Sequence, residues 1–219
     1  MSAPFIKKSL KKITPVYKVY KFFIDWKNRE EEVPAPPDML TKRNEISAIS
    51  DEYANATVFI ETGTFLGDTI DFFKNKFAKL YSIELSEDLA NKAMKRFSGD
   101  THISIVQGNS SAQLEIILNE VETTSIFWLD GHYSCEFWAG DEYIVTARGK
   151  KITPILKELL VISKHHIDNH IILIDDARLF IGKHDYPAIS KIKRVVSKKF
   201  PLHSFEIKND IIRILPKKY

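Results

Sequence analysis

The chain holds one cysteine, Cys135, in 219 residues. A disulfide framework within the chain is therefore excluded, and a reducing compartment fits. No apolar run comes near the roughly 20 residues that a membrane span needs. Lysines recur up to Lys21 and interrupt any apolar stretch near the N-terminus, so no signal peptide is expected there and the cytoplasm is the expected location. Neither sign of charge dominates. The 32 Lys and Arg against 29 Asp and Glu leave +3, which does not require a nucleic-acid partner, and the lysines gather toward the two termini instead of forming one focused basic surface. Glycine is scarce as well, with eight in all. None of them forms the G-x-G-x-x-G that lets a backbone approach a pyrophosphate, which argues against a dinucleotide site.

What the chain does have is enough apolar material, 44% of its residues, for one good-sized core. The expected organisation is residues 1–37 as an arm and connector and 38–219 as one domain. In the arm, lysines from Lys7 to Lys21 alternate with Phe5, Tyr17, Tyr20, Phe22, Phe23 and Trp26, and Pro15 splits any helix. Such a segment packs on its own domain or on a second copy in a homodimer. The alternative is a peripheral contact with an anionic membrane, here the inner face. Glu30–Glu32 and then Pro34, Pro36 and Pro37 read as a hinge.

A helix is expected over 39–53, and from 58 onward strands and helices alternate. Expected strands are 58–61, 80–84, 103–107, 125–130 and 170–175; expected helices are 69–76, 86–96 with Ser86 as N-cap, 112–119, 153–162 and 189–199. The segments 203–208 and 211–215, joined by Asn209-Asp210, read as a β-hairpin. The fold class is therefore α/β: a doubly wound, mostly parallel, seven-stranded Rossmann-like sheet ending in an antiparallel hairpin. An all-parallel NAD-type domain does not end that way.

Residues 58–67, VFIETGTFLG, run a strand into an acidic residue and a glycine turn, and the next strand ends in Glu84. That is how an α/β sheet builds a nucleoside pocket, with the later carboxylate placed for ribose hydroxyls. Phe65 and Leu66 between Gly63 and Gly67 suit a nucleoside carrying an amino acid, such as S-adenosylmethionine, although an ordinary βα turn would also use a glycine. Asp130 ends the fourth strand and Asp175 and Asp176 the fifth, and in an open sheet these ends face one crevice. Three converging carboxylates need an offsetting charge, and an oxygen-only set suits a hard ion such as Mg²⁺. Taken singly, each aspartate could equally cap its own turn.

ETGTFLGDT, YSIELSEDL, VQGNS, FWLDGHYS and LIDDA stand in the order and spacing of class I S-adenosylmethionine-dependent methyltransferases. From about residue 58 to the end, the chain resembles their cation-dependent O-methyltransferases of catechol and caffeoyl-CoA type and the macrocin-type sugar O-methyltransferases. The resemblance implies that Glu61, Gly63, Thr64 and Gly67 frame the methionine end of the cofactor, with Thr69 as a further contact. It places Glu84 on the ribose, Asn109 and Ser110 near the adenine, and Asp130 beside the cofactor and, with Asp175 and Asp176, on Mg²⁺.

Two positions depart from the catechol type. Its lysine base corresponds to Tyr133 here, and the asparagine that usually follows its second metal aspartate is Asp176. His132 is then the better base candidate, since its ordinary pKa is near neutral, with a structural histidine as the other option. The loop 134–151 mixes aromatic and hydrogen-bonding groups suited to a sugar or other polyhydroxylated acceptor, and Tyr133, Arg178 and His184 are candidate acceptor contacts. The expected activity is Mg²⁺-dependent O-methylation of a small-molecule or glycan acceptor. Three alternatives stand beside it: metal-independent transfer with His132 as base, another nucleotide-binding enzyme of similar fold, and a non-catalytic membrane-associated protein.

Overall fold

The computed structural model of the chain describes residues 34–131, 136–139, 142–145 and 153–218. The chain divides into two units, Met1–Ala35 and Pro36–Tyr219, and the second carries every element named below. The basic arm, His132 and Tyr133 lie outside the described residues.

The domain starts where proline gives way to a cap. Asp38 follows Pro36 and Pro37 with extended backbone, and its carboxylate accepts the Thr41 N–H at 2.8 Å and the Thr41 hydroxyl at 2.9 Å. A side-chain acceptor on a free first-turn N–H is what starts a helix, and α1 runs Met39–Glu52. There follow β1 (Val58–Thr62), α2 (Asp68–Phe73), β2 (Lys79–Glu84), α3 (Glu87–Arg96), β3 (Ile103–Gln107), α4 (Ser110–Ile117) and β4 (Ser125–Leu129). After β5 (Glu136–Ala139) and β6 (Glu142–Val145) come α5 (Ile155–Ile162), β7 (Ile171–Ile174), α6 (Ile189–Lys199), β8 (His203–Lys208) and β9 (Ile211–Pro216). In α3, Ser86 caps the start, Glu87 and Asp88 sit at the positive end of the helix dipole, and Lys95 and Arg96 at the negative end.

Seven strands form one sheet in the order β3-β2-β1-β4-β7-β9-β8. The first five are parallel; β9 runs antiparallel to β7, and β8 to β9. The expected doubly wound sheet with a terminal hairpin is what the chain forms. Its strands are apolar on both faces because both are covered. Phe59, Leu80, Ile126, Trp128, Ile171 and Leu173 pack with Ile46 and Ile49 of α1 and Ile70 and Phe73 of α2. The alternate residues Ile60, Ile83, Phe127, Leu129, Ile172 and Ile174 pack with Leu114 of α4, Leu159 of α5 and Ile192 of α6. Each such side chain contributes about 1.5–3 kcal/mol by leaving water.

The long loop expected at 134–151 is not wholly a loop, since β5 and β6 pair within it as an antiparallel ribbon separate from the main sheet. Elsewhere the ends shift by a few residues: α2 starts at Asp68 and ends at Phe73, α4 starts at Ser110, and α5 starts after Pro154. Among the described residues no helix is long and apolar enough to cross a membrane.

Candidate active site

The strand order reverses between β1 and β4: β2 and β3 extend the sheet to one side of β1, while β4 and β7 extend it to the other. The loops after these two strands therefore diverge and open a crevice at their carboxyl ends, where α/β sheets bind ligands. Backbone bonds hold the rim, with the Gly63 N–H donating to Ile83 O at 2.8 Å and the Asp130 N–H to Thr62 O at 3.0 Å. Gly63 has φ +89, and a Cβ there would lie 2.6 Å from the Asp130 carbonyl oxygen. The glycine of the motif is thus required by the close approach of two strand ends.

Three acidic residues line this rim. Glu84, at the end of β2, accepts the Phe65 N–H on one carboxylate oxygen and the Ser86 N–H on the other, both at 2.9 Å. It therefore ties the glycine loop to the start of α3, and each oxygen keeps a lone pair for a ligand hydroxyl. Glu61 is only 2% exposed and accepts the Ser82 hydroxyl at 2.6 Å, which is itself 2.6 Å from the Thr64 hydroxyl. Burial, reinforced by Asp130 and Glu84 and opposed by Ser82 and Arg43, pushes its carboxyl up to about 8. Asp130 follows β4 at the point where Asp175 follows β7, set by the pairing of Leu129 with Ile174. Thr69 and Ser110 are buried at the starts of α2 and α4, and Asn109 is exposed at the N-cap of α4.

A second group of acids lies beside the first. Asp175, Asp176 and Asp210 each turn an oxygen within 4.8 Å of the others. Asp210, instead of the expected Asp130, completes this trio. It comes from the β8–β9 turn, where Asn209 and Asp210 both have positive φ, the geometry of a two-residue hairpin. Asp176 also has φ +57, an uncommon conformation for a residue with a Cβ, and strain of this kind gathers at functional sites. Asp130 acts on the trio through space. Burial first, then Asp130 and Asp176, raise the Asp175 carboxyl above its ordinary value, against the pull of Lys42.

Lys42, which sequence reasoning missed, reaches into the trio from α1. Its ammonium is 2.5 Å from Asp175 Oδ1, 2.9 Å from Asp176 Oδ1 and 4.0 Å from Asp210 Oδ2. Burial disfavours its charge, but the attraction of Asp175 and Asp176 outweighs this and holds the lysine above its ordinary range. Arg178, expected to meet the acceptor, instead donates to Asp176 and Asp210. His184 is exposed on the loop after β7, while the nearby Tyr186 is buried and its phenol is pushed up by burial and by Asp176 and Asp130.

The resemblance implies Mg²⁺ on Asp130, Asp175 and Asp176, two of which belong to this trio, and the all-oxygen donor set suits a hard ion. One oxygen of each aspartate in the trio is taken. Asp175 Oδ1 and Asp176 Oδ1 share the Lys42 ammonium, and Asp176 Oδ1 and Asp210 Oδ2 share the Arg178 guanidinium. A divalent ion bound to the same oxygens would stand in contact with an ammonium, which mutual repulsion forbids. With Lys42 in place, these three oxygens do not also fit a divalent cation.

A parallel sheet with a reversed penultimate strand, an acidic glycine loop after β1 and a carboxylate ending β2 define the class I S-adenosylmethionine-dependent methyltransferase fold. No family model and no curated protein matches the chain, but solved structures do. The S-adenosylhomocysteine-bound methyltransferase PaMTH1 of Podospora anserina is similar over 100% of this chain and 99% of that one, with a TM-score of 0.56 at 12% identity. An O-methyltransferase of Bacillus cereus in complex with S-adenosylhomocysteine is similar over 95% and 90%, at 0.56 and 13%. TomG of Streptomyces achromogenes, an O-methyltransferase of tomaymycin synthesis solved with S-adenosylmethionine, is similar over 87% and 86%, at 0.54 and 14%. The chain has their fold.

Proposed function

We propose that the protein is an S-adenosylmethionine-dependent O-methyltransferase acting on a hydroxyl of a sugar, glycan precursor or other small polyhydroxylated molecule. The observation that carries this reading is the acidic rim of the crevice, where Glu61, Glu84 and Asp130 stand at or next to the carboxyl ends of three neighbouring strands. S-adenosylmethionine brings a sulfonium and an ammonium, which the carboxylates of Glu84 and Asp130 attract and to which Glu61, its carboxyl raised to about 8, adds charge only on losing its proton; a pyrophosphate would be repelled. Glu84 accepts the ribose hydroxyls, and Glu61 lies toward the amino-acid end. The O-methyltransferases among the solved structures that share the fold support oxygen as the methylated atom.

In the reaction the acceptor oxygen attacks the methyl carbon in line with its bond to sulfur. The C–O bond forms as the C–S bond breaks, the electron pair stays on sulfur, and neutral S-adenosylhomocysteine leaves. The hydroxyl proton passes to a base, for which His132 is the proposed residue. Positioning supplies much of the acceleration, because two reactants held at attack distance need no collision. The Mg²⁺ implied by the resemblance has no step here, on account of Lys42.

The test is calorimetry with S-adenosylmethionine, S-adenosylhomocysteine and NAD. The first two should bind and NAD should not. Glu84→Ala should weaken S-adenosylhomocysteine by about 1.5–3 kcal/mol, the worth of hydrogen bonds to a charged group. Unchanged affinity in that variant, with the melting temperature of the parent, would sink the assignment.

A further inference from the structure

The cation that balances the aspartate trio is part of the chain. Lys42 is 2% exposed, and a lysine is buried at a cost unless its charge is matched. Its ammonium offers three donors and faces Asp175 Oδ1 at 2.5 Å, Asp176 Oδ1 at 2.9 Å and Asp210 Oδ2 at 4.0 Å. A freely rotating lysine would not be held at this point, but α1 is fixed on either side of it. Asp38 caps its start. One turn beyond Lys42 and on the same face, Glu45 accepts from Arg213 at 2.5 Å and from Asn209. Those two residues belong to the hairpin whose turn also carries Asp210. The clamp that sets the register of α1 therefore also sets the distance from Lys42 to the carboxylates.

We propose that Lys42 is the resident cation of this cluster, its ammonium matching the charge of Asp175 and Asp176, two of the three acids that the resemblance assigns to a divalent ion, so that methyl transfer proceeds without a metal. The consequence is chemical. A divalent ion with open positions binds two acceptor oxygens and lowers the pKa of the one that attacks. An ammonium has no open coordination position and chelates nothing, so the hydroxyl proton must leave by a protein base. The inference rests on the methyltransferase reading for that consequence, but the occupancy of the cluster stands on geometry alone.

The experiment titrates Mn²⁺ into the full chain and follows the free-ion spectrum by electron paramagnetic resonance. Lys42→Met keeps the apolar stem without the charge, and Lys42→Arg keeps the charge. Wild type and Lys42→Arg should leave Mn²⁺ free up to about 1 mM, while Lys42→Met should bind one ion at least about tenfold more tightly. Stoichiometric Mn²⁺ binding by wild type, unchanged in Lys42→Met, would overturn the proposal. Should Lys42→Met lose its melting transition, the wild-type titration decides by the same two outcomes. Calorimetry with S-adenosylhomocysteine runs in parallel. Its failure would strike the methyltransferase reading, whereas Mn²⁺ binding strikes only the role of Lys42.

Discussion

Gly63 and Gly67 stand in one loop with similar backbone, φ +89 and +82, but an added methyl meets different neighbours. At Gly63 it would lie 2.6 Å from the Asp130 carbonyl oxygen; at Gly67 it would lie 2.7 Å from Cε2 of Phe97, a side chain. Alanine in the left-handed region costs about 1–2 kcal/mol at either site. At Gly63 the clash also pushes the end of β4 and with it Asp130, because a backbone cannot turn aside as a ring can. Gly63→Ala should therefore lower the melting temperature more than Gly67→Ala and weaken S-adenosylhomocysteine more in calorimetry. Adding Phe97→Leu should recover part of the loss at Gly67 and none of that at Gly63. Equal losses at both sites would show that φ alone matters. These glycines and Glu84 were legible in the sequence because the loop and the strand end that they serve are local. Lys42 was not, since it meets Asp175 across 133 positions and looks like any helix lysine until the sheet brings them together. Asp210 was read as a turn residue, which it is, and nothing local marks a turn that folds back onto a site.

Elements were legible wherever periodicity or turn chemistry is strong. The Asn209-Asp210 hairpin and the buried β7 are examples, whereas the β5–β6 ribbon lies in a segment whose polar and aromatic mixture reads as a loop. At the opposite ends of the β-strands, two histidines of the connection between α5 and β7 meet a third from the start of β8, and no pattern announced them. His170, just before β7, accepts the Ser125 N–H on Nδ1 at 3.1 Å, so its Nε2 carries the proton and donates to His165 Nδ1 at 2.8 Å. His165 in turn donates to Leu118 O at 2.9 Å, and His203 of β8 to the carbonyl of His170 at 2.8 Å. The bonds accepted by Nδ1 require neutral rings at His170 and His165. Burial, together with His165, His203 and His166, brings His170 from 6.5 to about 3, and burial lowers His165 and His203 as well. The facing acids, Glu122 for His165 and Asp168 for His203, oppose this only in part. A base whose folded pKa is depressed is neutral in the fold and takes up its proton on unfolding. Its stabilisation is complete above about pH 6.5 and lost as pH falls from there toward 3, at about 1.4 kcal/mol per pH unit for one ring. His170→Asn, which keeps an acceptor for Ser125, should flatten that limb of the stability–pH curve measured by urea melts. A variant curve parallel to the parent's between pH 6.5 and 4 would assign acid lability to other groups.

At the scale of the whole molecule the chain shares a fold with enzymes to which it is only 12–14% identical, because both faces of the sheet need apolar alternation and many residues satisfy it. The acceptor is not written at that level. Every described residue assigned to the crevice or the aspartate cluster lies within Pro36–Tyr219, so a chain truncated to 36–219 should bind S-adenosylhomocysteine with the affinity of the full chain. The same truncation separates the two expectations for the basic, aromatic arm. An arm that packs on protein gives a lower melting temperature when removed, with loss of any dimer in sedimentation. An arm that lies on a membrane leaves the melt unchanged, and its loss abolishes salt-sensitive binding to vesicles containing anionic lipid, to which each lysine near the surface contributes about 1 kcal/mol. We expect the first outcome, since aromatic residues at this density are more often packed than inserted. An unchanged melt together with lost vesicle binding would place the arm at the membrane face.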